Sequence, residues 1–75
     1  MATYRKRPVL VQAVQYDGRI DPPGVFRDAD QMPYVVTIHG QRAHLVPSDW
    51  VITEPDGVHH YPCKADVFAA TYEAV

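Results

Sequence analysis

The sequence predicts a small, mainly β protein of α+β type: an antiparallel sheet or open barrel of about five strands with a short C-terminal helix. Three observations predict it. Runs rich in Val, Ile, Tyr and Thr recur between Arg5 and Pro62, and these residue types suit a pleated surface. Turn residues punctuate the runs at Asp17-Gly18, Gly40-Gln41 and Pro55-Asp56-Gly57, where the chain must reverse. Helical spacing of apolar residues appears only after Pro62.

The first strand covers Arg5–Tyr16, with Val9, Leu10, Val11, Val14 and Tyr16 as its apolar side chains. They fall on both sides, so part of the strand is expected to be covered on both faces. Asp17-Gly18 ends it. Residues 17–33 hold three prolines, two glycines and four aspartates, the composition of a long loop, with one short helical turn expected around Val25–Asp30. Loops this long in compact domains are commonly functional, and Val25, Phe26 and Met32 give this one apolar anchors.

Tyr34–Val46 reads as a hairpin around Gly40-Gln41 with a two-residue type II′ turn. That register pairs His39 with Arg42 and Thr37 with His44, a polar face. Tyr34, Val36, Ile38, Ala43 and Leu45 then share the core face. A second hairpin joins Trp50–Glu54 to Val58–Pro62 through a three-residue loop with a bulge, placing Trp50, Ile52, Val58 and His60 on the core side. Ala65–Ala70 favours a helix barely two turns long, with Val67 and Phe68 inward and Tyr72 four positions after Phe68. A helix of that length is unstable alone in water, so the sheet must hold it. The expected core is Val9, Val11, Val36, Ile38, Leu45, Trp50, Ile52, Val67, Phe68 and Tyr72.

The 75 residues form one domain, which buries roughly 60–65% of its unfolded surface and gains only a few kcal/mol unaided. Cys63 is the single cysteine, so no intrachain disulfide helps, and a two-fold homodimer is the simplest expected support. Seven basic residues against nine acidic ones give a charge of -2, which argues against general nucleic-acid binding. No apolar run approaches the ~18 residues of a membrane span, and no signal-peptide pattern follows the basic start. A cytoplasmic location, in the bacterial host, is expected.

His60 and Cys63 stand two residues apart and are zinc-ligand types. However, His59 and His60 point to opposite faces of a strand, and His39 and His44 belong to another hairpin. No metal and no cofactor is expected. A Cys63 nucleophile needs an adjacent base or cation, which no motif supplies. Asp49 and Asp56 fall in turns, where carboxylates bond backbone N–H groups, and Asp66 suits the start of the helix. No phosphate loop, kinase, hydrolase or dinucleotide signature is present, so the chain reads as non-enzymatic. The candidate binding residues are Arg5 and Arg7 of the basic cluster, Phe26 and Met32 of the long loop, and His39, Arg42 and His44 of the first hairpin. The basic cluster has a competing role in protecting an edge strand from pairing with other chains.

Two ends of the chain carry a resemblance. Tyr4-Arg5-Lys6-Arg7-Pro8-Val9 opens it, while Pro47-Ser48-Asp49-Trp50, Tyr61-Pro62-Cys63-Lys64-Ala65-Asp66-Val67-Phe68 and Thr71-Tyr72-Glu73 close it. Together they resemble a family of small uncharacterised proteins carried by bacteriophages and prophages. Its members begin Tyr-Arg-Lys-Lys-Pro-Val and end Pro-Gly-Asp-Tyr/Trp, Tyr-Pro-Cys-Lys-Pro-Asp-Ile-Phe and Thr-Tyr-Glu. Ser48 stands where the family usually has Gly, and Ala65 where it usually has Pro. The resemblance implies a phage setting and carries no activity with it. Two functions fit. One is an accessory protein that binds and blocks a host protein, such as a component of antiviral defence, with the loop Asp17–Pro33 as contact. The other is a binder that sequesters an anionic nucleotide or metabolite, which needs Arg and His beside Tyr4 or Tyr16. The first demands less of the sequence.

Overall fold

The computed structural model describes residues 1–75. Its elements are β1 (Ala13–Gln15), β2 (Phe26–Arg27), β3 (Pro33–Val36), β4 (Arg42–His44), β5 (Trp50–Thr53), β6 (His60–Cys63) and α1 (Ala65–Thr71). The strands form two antiparallel three-stranded sheets, ordered β1-β5-β6 and β2-β3-β4, and neither closes into a barrel. The fold is therefore mainly β with one short C-terminal helix, its strands divided between two small sheets.

The sheets pack together through Tyr16, Val35, Leu45 and Val51, with Val25 and Ala43 against them. Neighbouring side chains on a strand point to opposite faces, so Ile52 lies on the far side of β5 from Val51, and it is 0% exposed. Trp50 shares that far face and stacks on Phe68 of α1, ring centroids 4.0 Å apart. The strand β5 is thus covered by the second sheet on one side and by the helix on the other. Its unbroken Trp50-Val51-Ile52 run is what such a doubly covered strand requires.

The first strand is much shorter than Arg5–Tyr16. Its ladder with β5 ends where Thr53 N–H donates to the Gln12 carbonyl at 2.9 Å, because β5 stops there and turns at Pro55. Residues before Gln12 have no strand to pair with, and Val9, expected in the core, is 65% exposed. Residues 17–33 contain β2 in place of a helical turn, pairing Phe26 with Tyr34 and Arg27 with Pro33. The loop is tied internally: Arg27 Nε and Nη2 donate to Asp21 at 3.0 and 2.8 Å, and Nη1 donates to the Gln31 carbonyl at 2.7 Å.

Both hairpin registers differ from expectation. Arg42 pairs with Val36 instead of His39, an offset of three residues, because the turn is wider and spans Thr37–Gln41. Thr37 N–H donates to the Gln41 carbonyl and Gly40 N–H to the Thr37 carbonyl, each at 2.8 Å. An odd offset reverses one strand's faces. Val35 therefore enters the core, Tyr34 and Val36 join Arg42 and His44 outside, and Ile38 leaves the strand for solvent. In the second hairpin Ile52 pairs with Tyr61, leaving a loop one residue longer than expected. Asp56 Oδ1 causes this by accepting the N–H groups of Val58 and His59, both at 2.9 Å. Tyr61 and Cys63 consequently share the helix-facing side with Trp50, while Val58 is exposed. On α1 only Phe68 of the expected pair turns inward; Val67, about 100° further round the helix, is exposed.

Candidate functional site: the outer face of the second sheet

The odd offset in the first hairpin builds a surface. One cross-strand rung runs Phe26–Tyr34–His44 over all three strands, and its ring centroids are 5.9 Å apart on each side of Tyr34. On the next position of β4, Arg42 lays its guanidinium over the Tyr34 ring, 4.7 Å from the centroid. That distance is in the range where the ring quadrupole attracts a cation. No carboxylate forms an ion pair with Arg42, so its charge is held in place by an aromatic ring and stays open to an incoming anion. Phe26, at one end of the rung, is 54% exposed.

Asp28 fixes the other end. Its Oδ2 lies 2.9 Å from His44 Nε2, and its Oδ1 accepts the N–H groups of Asp30 and Met32 at 2.9 and 3.0 Å. The His44 contact, followed by the Met32 and Asp30 N–H groups, holds the Asp28 carboxyl below the usual carboxylate range. A cleft of about 240 Å³ borders the face between Phe26, Val36, Val58 and His60. Its floor depends on Gly24: φ is +92° there, and a Cβ would sit 2.2 Å from the His60 ring.

Of the residues expected to bind, Phe26, Arg42 and His44 converge around Tyr34. Met32 is half exposed in the β2–β3 loop and joins them only through its N–H bond to Asp28. His39 sits exposed in the β3–β4 turn. Arg5 and Arg7 lie elsewhere, in the segment before β1; Arg7 borders a cleft of about 610 Å³ with Lys6, Glu54, Tyr61 and Tyr72. The basic cluster lies in the segment before β1 and the hairpin cations lie on the second sheet. Tyr16 is buried in the core, where its hydroxyl accepts from Arg27 Nη2 at 3.3 Å, and it offers no stacking surface. Sequence reasoning missed Tyr34 and Asp28. A phenol with no buried hydrogen-bond partner in prospect is better placed outside than valine, and that was the signal that Val35, not Tyr34, faces the core.

The residues that carry the family resemblance have structural work here. Trp50, Phe68 and Tyr72 form a continuous stack, the second pair 4.9 Å apart, and the Tyr72 and Tyr61 hydroxyls lie 3.1 Å from each other. Burial, followed by the Tyr72 hydroxyl bond, pushes the Tyr61 phenol up. Buried Asp49 accepts Val46 N–H at 3.0 Å through Oδ2. Its Oδ1 is 3.3 Å from Lys64 Nζ, an ion contact not aligned as a hydrogen bond. These contacts hold the start of α1 to the turn before β5. No three or more of the His, Cys, Asp and Glu side chains gather as metal ligands; His60 and Cys63 face opposite sides of β6. Comparison with protein-family models, curated proteins and solved structures finds no match for the chain.

Proposed function

We propose that this protein is a non-catalytic binding module whose outer sheet face, Phe26, Tyr34, Arg42 and His44, engages a partner protein. In the phage setting implied by the sequence resemblance, that partner is a host protein of the bacterial cytoplasm, and blocking it serves the phage, for instance against antiviral defence. The observation that carries this reading is Arg42 stacked, without a carboxylate, on an exposed aromatic rung. Tyr, Phe and Arg are the side chains that anchor protein interfaces. The face is open, whereas a small-molecule site buries most of its ligand's surface in a concavity. The partner surface that fits it carries a carboxylate for Arg42 and an apolar side chain for Phe26.

Affinity capture from a bacterial lysate tests the proposal. The unmodified chain retains a bacterial protein, and Phe26→Ala or Arg42→Ala weakens retention at least about tenfold, the size of effect expected of interface anchors. Both side chains are surface-facing, so their melting temperatures stay near that of the unmodified chain. The second reading, an anionic nucleotide or metabolite stacked on Tyr34 and paired with Arg42, rests on the same cation. A small molecule released on heating, with retention lost in Arg42→Ala and no protein captured, would establish that reading instead.

A further inference from the structure

Residues 1–11 take part in none of the backbone hydrogen bonds of the chain. Leu10 is 81% exposed, and clefts of about 610, 260 and 310 Å³ all border Val9 and Val11. The molecule is 47 Å long with a radius of gyration of 13.6 Å, against about 11 Å for a compact chain of this length, and this arm borders the body across open clefts. It carries an apolar stretch and an unpaired backbone in extended continuation of β1, the edge strand of its sheet.

The hydrogen-bond parity of that edge is fixed. Tyr16 N–H donates to the Asp49 carbonyl at 2.8 Å, and the Gln12 carbonyl accepts from Thr53 N–H, so the even-numbered residues face β5. In an antiparallel ladder the alternate residues turn the other way. Ala13 and Gln15, and in extended continuation Arg7, Val9 and Val11, therefore direct N–H and C=O groups to the open edge. Pro8, which lacks an N–H, falls among the even-numbered residues and leaves no gap in that row.

We propose that this edge is a homodimer interface in which the Arg7–Gln15 segments of two copies pair antiparallel about a two-fold axis at Val11. Val9 of one copy then faces Ala13 of the other, and Arg7 faces Gln15. Carried two residues further, Arg5 comes level with Asp17 of the second copy. The basic cluster that would repel a foreign edge thus meets an opposite charge on a second copy of the chain, which is why the occupant is a second copy. Val9, Val11 and Ala13 border the apolar cleft lined by Trp50, Phe68 and Tyr72, so pairing covers that cleft in both copies. Two three-stranded sheets become one continuous sheet, which supplies the buried area that a chain of this size lacks. The outer face of the second sheet takes no part.

Val11→Cys in a Cys63→Ser background tests the register. A hydrogen-bonded antiparallel pair sets two Cα atoms about 5.5 Å apart, inside the disulfide range. Mild oxidation is expected to give a covalent dimer of twice the 8.5 kDa chain mass, whereas Ala29→Cys in the same background, on the β2–β3 loop, stays single. Sedimentation of the unmodified chain at micromolar concentration gives the dimer mass. Val11→Pro, which removes the central N–H from a segment outside every strand and helix, gives the monomer mass with an unchanged circular dichroism spectrum. A monomer mass for the unmodified chain, equal or absent cross-linking of the two cysteine variants, or a dimer that survives Val11→Pro overturns the proposal.

Discussion

Ser48 is held at φ +82°, in the left-handed region where a Cβ crowds the backbone. It is the third residue of a turn closed by Asp49 N–H on the Val46 carbonyl at 3.1 Å, with Pro47 second, the arrangement of a type II turn. Glycine suits that position without strain. Ser48→Gly is expected to stabilise the protein by about 0.5–1 kcal/mol and raise Tm by a few degrees; a lower Tm would contradict the turn geometry. Asp56 makes a second residue-scale case. Hydrogen bonding to the His59 ring, then to the His59 and Val58 N–H groups, lowers its pKa from 3.8 to about 2. Between those values the unfolded chain binds more protons than the folded one, so stability rises with pH. This contribution is complete above about pH 4 and is lost as pH falls toward 2. Asp56→Asn is expected to flatten the acid limb of a melting-temperature profile in that window; an unchanged limb would show that the carboxylate is not linked to folding. Neither feature is hidden in the sequence, since Pro-Ser-Asp and Pro-Asp-Gly both announce turns. What the sequence does not state is how many residues each turn takes.

At the scale of elements, that missing count decides the site. The strand-forming stretch Tyr34-Val35-Val36 satisfies either face of a sheet, so the turn length alone selects which residue is buried. Thr37 lengthens the first turn by bonding Gln41, through both its backbone N–H and its Oγ1, which accepts Gln41 N–H at 3.3 Å. Asp56 lengthens the second turn through its Oδ1. Phe26, Arg42 and His44 are readable as binding candidates, but Tyr34, which joins them, is not, because a two-residue turn puts it on the core-facing side of the hairpin. The helix shows the same logic on a smaller scale. Phe68 stacks between Trp50 and Tyr72, so Phe68→Ala is expected to cost about 2–4 kcal/mol and loosen α1 from the sheet, whereas Val67→Ala costs no more than about 0.5 kcal/mol. Paired denaturant titrations with far-ultraviolet circular dichroism separate the two. Equal losses would mean that both side chains face the sheet.

For the whole molecule, the mainly β class with one closing helix follows from the spacing of strand-forming runs and turns, and both were visible in the sequence. The division into two sheets was not, because β5 must be recognised as covered on both sides before a second layer is needed. That arrangement leaves two separate surfaces: the arm edge of the first sheet and the aromatic, cationic face of the second. Charge reversal on the second surface leaves the core undisturbed. Retention of protein from a bacterial lysate by Arg42→Glu should be compared with retention by Arg19→Glu, a substitution of an exposed arginine in the loop after β1. The binding-face account predicts that Arg42→Glu loses the partner and Arg19→Glu keeps it; undiminished capture by Arg42→Glu would contradict it.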